Sequence, residues 1–482
     1  MSSVNPLKPS ERMKIPRQEP HEQPALERMT NFLEVSFGFD DDRSLIEAKR
    51  CLECKTPYCI DGCPVGINIP GFIALVLQED YIGAVNKIRE ANYLPAICGR
   101  VCPQESQCEE LCVLGKKLTP VAIGKLERFV ADYEMRRKLF QAPAITTHRE
   151  EKVAIVGSGP AGLTCAAELA RMGYQVTIFE ALHAVGGVLR YGIPEFRLPK
   201  EILDIETERI KALGVQIYTN FVVGRTSTID EFLDEWGFKA IFLATGAGTP
   251  NFLGIPGENL SGVYSANEFL TRVNLMGAYK FPENDTPVRI GKEAAVIGGG
   301  NTAMDAVRTA RRLGAEKAYL IYRRSRHEMP AREEEVHHAE QEGIQFMMLT
   351  NPVSILGDEQ GWVKGVQCQK MQLGEPDESG RRRPVAVPGS EFVVPIQTLI
   401  EAIGQRPNPI IQATTPGLQT GKRGTVVTSD SQATSRPGIF AGGDLSRGGA
   451  TVILAMRDGK QAAAAINAYL NGQSASASQA AS

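Results

Sequence analysis

The 482-residue chain has no apolar run approaching the roughly 20 residues of a membrane span, so no spanning helix is expected. It has little net charge: 53 basic against 56 acidic side chains leave −3 at neutral pH. That balance gives no electrostatic reason to bind nucleic acid or an anionic membrane surface. The N-terminus, MSSVNPLKPSERMKIPRQEP, lacks the apolar region of a signal peptide, so export is not expected and the location is read as cytoplasmic. In that reducing compartment clustered thiols bind metal more often than they form disulfides. The remainder is the composition of a soluble globular protein, 43% hydrophobic and 23% charged. Its length exceeds a single core and suggests about two to four domains.

What the chain does have is cysteine in two runs. The first reads Cys51-x2-Cys54-x4-Cys59-x3-Cys63-Pro64 and the second Cys98-x3-Cys102-Pro103-x5-Cys108-x3-Cys112, which together hold eight of the ten cysteines. Zinc takes paired ligands at close spacing, and only Cys51 and Cys54 show it. The first run resembles ferredoxin ligand runs, in which the fourth cysteine often serves the other cluster. By that logic Cys51, Cys54 and Cys59 hold one cluster and Cys63 crosses to a second, with Cys102, Cys108 and Cys112 supplying the remaining thiolates.

Residues 1 to about 30 read as an extended arm. Helices with cysteine-bearing loops follow from about 40 to 140. Gly71–Asn86 (GFIALVLQEDYIGAVN) carries helical apolar spacing, and a second helix runs from Pro120 to about Arg137. Gln141–Glu150 reads as a linker. Lys152–Glu180 is strand, tight turn, helix, strand, and the same unit returns at Glu293–Tyr322. The tail after Asn471 is low in complexity and is expected to be disordered.

Within the first unit stand Gly157-x-Gly159-Pro160-Ala161-Gly162. Gly157 permits the turn, Gly159 lets backbone approach a pyrophosphate, and Gly162 allows close helix–strand packing. The helix N-terminus offers free N–H donors to the phosphates. Glu180, ending the second strand, is placed to accept from ribose hydroxyls. Far downstream, Gly438-Ile-Phe-Ala-Gly-Gly443-Asp444 precedes Ala450-Thr451 and a helix. This resembles the C-terminal motif of two-dinucleotide flavoproteins, which implies that Asp444 meets the ribityl chain and that the helix from Thr451 points at the isoalloxazine. Ala244-Thr245-Gly246 matches the same family, so FAD is the expected first ligand.

The second unit carries Gly298-Gly299-Gly300-Asn301-Thr302-Ala303, with alanine as an accepted third position. Its second strand ends in Tyr322-Arg323-Arg324 where NAD sites place an acid. Arginines there suit a 2′-phosphate, so NADPH is favoured over NADH. The order of fingerprints puts the nicotinamide domain inside the flavin domain. Hydride transfer between stacked cofactors then needs no side-chain acid or base, and no catalytic residue is assigned.

Together with GGVLRYGIPEFRLPK (Gly186–Lys200) and RRSRHEMPAREEE (Arg323–Glu335), these features resemble the small (β) subunits of bacterial NADPH-dependent glutamate synthase over roughly residues 40–470. The N-terminal part of dihydropyrimidine dehydrogenase shares the architecture. The resemblance implies an α/β fold with two Rossmann-like nucleotide-binding domains, the NAD(P) domain inserted in the FAD domain, preceded by a helical iron–sulfur domain. The expected bounds are 1–140 for the arm and iron–sulfur domain, 150–255 and 401–470 for the FAD domain, 256–400 for the NADPH domain and 471–482 for the tail. It implies two [4Fe–4S] clusters, one on Cys51, Cys54, Cys59 and Cys112. The other would use Cys63, Cys102, Cys108 and a non-thiolate ligand, filled by a helix glutamine in the pyrimidine enzyme and matched here by Glu127. Cys98 is the rival, since plain counting gives eight thiolates. It further implies that Gly187 lies in the flavin site and that Arg197 reaches an FAD phosphate.

The expected function is that of an electron-input subunit within a hetero-oligomer, oxidising NADPH and passing electrons through FAD and the clusters to an FMN-carrying large (α) subunit that makes L-glutamate from L-glutamine and 2-oxoglutarate. The chain has no N-terminal cysteine nucleophile and no amidotransferase pattern of its own. A stand-alone NAD(P)H:ferredoxin or sulfide oxidoreductase is the alternative enzyme, and a redox-sensing module the alternative class. Disulfide reductase chemistry is disfavoured because no C-x-x-C follows either glycine motif. Cys165 is expected in the core, Cys368 has no partner in sequence, and His327, His337 and His338 are expected to be solvated.

Overall fold

The computed structural model describes residues 7–377 and 380–472. The expected disordered tail falls almost wholly on 473–482, outside the described residues. The helical N-terminal region is built from Asp41–Ala48, Ile69–Leu77, Tyr81–Arg89, Pro95–Val101 and Ile123–Arg137. Short polar side chains start three of them. Asp40 accepts from Arg43 N at 2.8 Å, Asn68 from Gly71 N at 3.0 Å and Asp80 from Gly83 N at 2.8 Å. The single helix expected over Gly71–Asn86 is two helices. Glu79 takes a left-handed φ of 58° and Asp80 caps the next helix, so the apolar periodicity spans a break it does not register.

Two five-stranded parallel sheets follow. The first has the order Ile439–Ala441, Phe238–Leu243, Lys152–Val156, Gln175–Phe179, Gln216–Tyr218. The second has the order Gln345–Met348, Lys317–Tyr322, Glu293–Ile297, Thr398–Glu401, Val263–Ser265. The second sheet's strands all lie between the first sheet's fourth and fifth strands in the chain, so the second unit is inserted in the first. The two crossings between them, Thr249–Pro250 and Gln405–Arg406, pair as a short antiparallel ribbon. A four-stranded antiparallel layer, which the sequence did not announce, packs on the inserted unit through Ile355, Val363, Val366 and Val394.

The iron–sulfur helices and the first sheet's helices share one core. Leu126, Phe129 and Cys98 belong to the same buried cluster as Ala161, Cys165 and Met456. These regions are therefore not independent bodies. No helix among the described residues is long and apolar enough to cross a membrane.

Candidate functional site

The two cysteine runs fold onto one another and divide into two cavities. Cys51, Cys54, Cys59 and Cys112 line the first, with Tyr58, Ile69, Ile73, Val121 and Ile123. Cys63, Cys102 and Cys108 line the second, with Cys98, Gln104, Glu127 and Ile453. Ile69 and Ile123 line both, so the cavities are neighbours across those side chains. All ten cysteines are free thiols.

The donor sets fit clusters better than single ions. Tetrahedral zinc at about 2.3 Å from each sulfur would bring the sulfurs within about 4 Å of one another. Among the described residues no three cysteine sulfurs lie within 4.8 Å of one another. Soft thiolates in apolar walls suit iron–sulfur ligation. Burial pushes the Cys51 thiol up to about 11 and the Cys59 thiol to about 12, and thiolate repulsion inside the first set adds to both. Burial likewise takes Cys63 to about 11. Such a set is stable ionised only around bound positive charge.

Glu127 and Cys98 both reach the second cavity, and Asn92 holds both. Asn92 Nδ2 donates to Glu127 Oε1 at 2.7 Å, and the Cys98 thiol donates to Asn92 Oδ1 at 3.8 Å. The Cys98 thiol also lies 3.4 Å from Met456 Sδ on the helix Val452–Leu470. Burial raises the Glu127 carboxyl to about 8. The site thus offers a carboxyl oxygen and a thiol, each held by Asn92.

The first glycine loop closes the strand Lys152–Val156 onto the helix Pro160–Arg171. Gly157 has a φ of 104°, and a Cβ there would lie 2.5 Å from Ala244 O. Gly187 backs onto Gly159, Gly443 abuts Ala161, and a Cβ at Gly159 would meet nothing within 4 Å. Backbone therefore surrounds an open cradle beside the helix N-terminus, as a pyrophosphate needs. Pro160 opens that helix and Gly162 packs on Gly157 O. Glu180 braces the loop: Oε2 accepts from Ser158 N at 2.9 Å and from Ser158 Oγ, and Oε1 from Leu182 N at 2.8 Å. Asp444 accepts from Ala450 N at 3.1 Å, and burial raises it to about 6. Tyr191, raised to about 12 chiefly by burial, also feels Asp444 and Glu180, so both carboxylates face the same region. Thr451 caps Val452–Leu470, whose first turn carries Ile453 into the second cysteine cavity.

At the second glycine loop Gly298 has a φ of 148°, and its missing Cβ would lie 2.4 Å from Ala402 O. Gly299 faces the Tyr322 ring, Gly300 is open but for Pro330, and Ala303 is buried in the first turn of the helix Asn301–Arg312. Asn301 Oδ1 accepts from Arg332 N at 2.9 Å, and Thr302 is exposed beside it. Arg323 is exposed at the strand end.

Four expectations need correction. Arg324 is buried, with Nε donating to Arg382 O at 2.9 Å and Nη2 to Asp377 Oδ2 at 2.5 Å. The antiparallel layer captures it, leaving Arg323 as the open member of the pair. Arg197 is also spent on protein carboxylates. It grips Asp305 through Nη1 at 2.7 and 2.8 Å and pairs with Glu335 at 3.0 Å, joining the flavin unit to the inserted unit where an FAD phosphate contact was expected. His338 is buried, not solvated, and pairs with Glu22 of the arm at 3.0 Å. The separation expected between cluster arm and flavin domain is replaced by their shared core.

Sequence reasoning missed Asn92, Gln104, Arg332 and Ile453 because their roles arise from contacts between distant segments. It also passed over Glu401, a buried acid at the end of the second sheet's central region. No signal in local spacing marks any of them.

Comparisons place these features among known proteins. Residues 151–463 match the family described as pyridine nucleotide–disulphide oxidoreductase. Residues 28–139 match dihydropyrimidine dehydrogenase domain II, 4Fe–4S cluster. The chain is 36% identical to the glutamate synthase [NADPH] small chain of Halomonas elongata, covering 95% of this chain and 97% of that one. The small chain of Escherichia coli is also 36% identical, with 95% and 98% covered. The chain is 43% identical to the NADP(+)-dependent formate dehydrogenase subunit beta of Moorella thermoacetica over 86% of its own length, but spans only 60% of that protein. Among solved structures, FprA of Mycobacterium tuberculosis in complex with NADPH superposes with a TM-score of 0.56 at 21% identity, covering 67% of this chain and 85% of that one, a likeness of fold. The chain belongs to the pyridine nucleotide–disulphide oxidoreductase family, in the group that carries an N-terminal 4Fe–4S domain and includes the small chains of NADPH-dependent glutamate synthase.

Proposed function

We propose that this chain is the electron-input subunit of a glutamate synthase, taking electrons from NADPH and delivering them to the FMN of a large subunit that forms L-glutamate from L-glutamine and 2-oxoglutarate. The observation that carries the reading is the file of sites along one line of contact: flavin-type cradle, Ile453, second cysteine cavity, Ile69 and Ile123, first cysteine cavity. When bound, the nicotinamide and flavin supply two-electron hydride chemistry and the clusters supply one-electron carriage.

The chain's own residues bind, orient and insulate. Gly157, Gly159, Pro160, Ala161, Gly162, Gly187, Gly443, Asp444 and Thr451 hold FAD, and Glu180 braces its loop while facing the ribose. Gly298, Gly299, Gly300, Asn301, Thr302, Ala303 and Arg323 hold NADPH. Cys51, Cys54, Cys59 and Cys112 hold the outer cluster; Cys63, Cys102, Cys108 and Glu127 hold the inner one. Three of the first set, Cys54, Cys59 and Cys112, are partly exposed against only Cys63 of the second, so the first cavity is the exit toward the partner.

The near end-to-end match to two glutamate synthase small chains favours that partner. A second reading, delivery to another oxidoreductase subunit, is favoured by the higher identity to the formate dehydrogenase beta subunit. Mixing the purified chain with a glutamate synthase large subunit decides between them. Glutamine- and 2-oxoglutarate-dependent NADPH oxidation supports the first, and its absence with retained NADPH oxidation by an artificial acceptor supports the second.

A further inference from the structure

The strap Pro330–Glu335 touches both the second glycine loop's helix and the wall of the second cysteine cavity. Arg332 is buried and its guanidinium faces the second cysteine cavity's wall. Nη1 donates to Arg100 O at 3.0 Å, Nη2 to Gln104 Oε1 at 3.0 Å and Nε to Glu105 Oε1 at 3.3 Å. Gln104 lines that cavity and donates to Cys98 O at 3.1 Å. On its other side, Arg332 N donates to Asn301 Oδ1 at 2.9 Å, at the first residue of the helix behind the glycine loop Gly298–Gly300. Glu334 accepts from Lys125 Nζ at 2.5 Å, two residues before Glu127, and Glu335 pairs with Arg197 at 3.0 Å.

We propose that Arg332 is a positioning residue that sets the reduction potential of the second cluster and couples it to nucleotide occupancy at Gly298–Gly300. The inference rests on the cluster and NADPH assignments made above. A cluster gains one negative charge when it accepts one electron. A fixed cation in a buried, poorly screened wall favours that state. Around it Glu105 and Glu334 offset the charges of Arg332 and Lys125, so removing Arg332 leaves uncompensated negative charge beside the cavity.

The coupling is mechanical as well as electrostatic. Phosphates seated on the helix N-terminus act on Asn301, which holds Arg332 by its backbone N–H. The guanidinium fork carries any shift to Arg100, Gln104 and the loop before Cys108. By linkage, the factor by which NADP+ changes cluster reduction equals the factor by which reduction changes NADP+ affinity.

The test is a redox titration of the intact chain, loaded with FAD and both clusters, followed by EPR with and without saturating NADP+. In the unaltered protein NADP+ should move the second cluster's midpoint and leave the first's in place. In R332Q the second cluster's reduction equilibrium should fall about tenfold, about 59 mV for a one-electron couple, and the response to NADP+ should vanish. R332K keeps the charge without the planar fork and should restore the midpoint but not the response. N301A, titrated with NADP+ until that variant is itself saturated because Asn301 also belongs to the nucleotide site, should bind the nucleotide and lose the response. An unchanged second midpoint in R332Q with iron content intact, or an NADP+ response that survives in both R332Q and N301A, overturns the inference. An unaltered chain that binds only the Cys51 cluster overturns instead the ligand assignment beneath it.

Discussion

Asn92 donates its amide to Glu127 at 2.7 Å, and the same side chain takes the thiol of Cys98. One buried amide thus holds both candidates for the fourth position of the second cysteine cavity. Both side chains stand on the cavity wall, and the thiol also touches Met456. Glu127→Ala should lose one cluster, read as iron and acid-labile sulfide per chain falling by about half. Cys98→Ser should keep both. Cys98 essential with Glu127 dispensable would reverse the assignment.

Arg323 and Arg324 part company at the end of Lys317–Tyr322, one exposed and one captured by Asp377. Arg323→Gln should raise KM for NADPH roughly ten- to hundredfold with little change for NADH, since one charge-assisted contact contributes about 1.5–3 kcal/mol. Arg324→Gln should lower thermal stability by about 1–2 kcal/mol and leave the cofactor preference alone. A preference that follows Arg324 would refute the structural separation.

Asp444→Ala should sharply reduce the flavin retained per chain on gel filtration. Because the cluster helices and flavin helices share one core, the flavin-free variant should also melt earlier, while still binding iron. Full flavin occupancy with normal reduction by NADPH would dismiss the role given to this aspartate.

Glu401 is 3% exposed and lies beside the Glu258 carboxyl and the Leu253 backbone. Burial, with Glu258 adding, raises it to about 8. Between its ordinary value of 4.5 and about 8 the folded state holds a proton that the unfolded state has released. Stability therefore falls as pH rises through that window. Glu401→Gln should flatten the fall and raise Tm at pH 8, measured by calorimetry across pH 5 to about 9. An unaltered slope would show that another group titrates there.

The sequence by itself determined the chemistry at hand. Cysteine spacing, two glycine loops and the Gly443-Asp444 motif are local, because a ligand run or a phosphate turn is written in a few consecutive residues. The same locality explains both parallel units and the insertion of one in the other. Spacing alone left Cys112 open and the family resemblance put it with Cys51; the tertiary structure groups it there, and Cys63 with Cys102, across dozens of residues. It also decided which of two adjacent arginines stays free, because Arg324 is taken by a hairpin that lies more than 50 residues on in the chain. The identity of Arg332 as the tie between nucleotide loop and cysteine cavity was likewise beyond sequence. Its partners Arg100, Gln104 and Asn301 are brought together by packing alone, and packing between distant segments leaves no period or spacing to read.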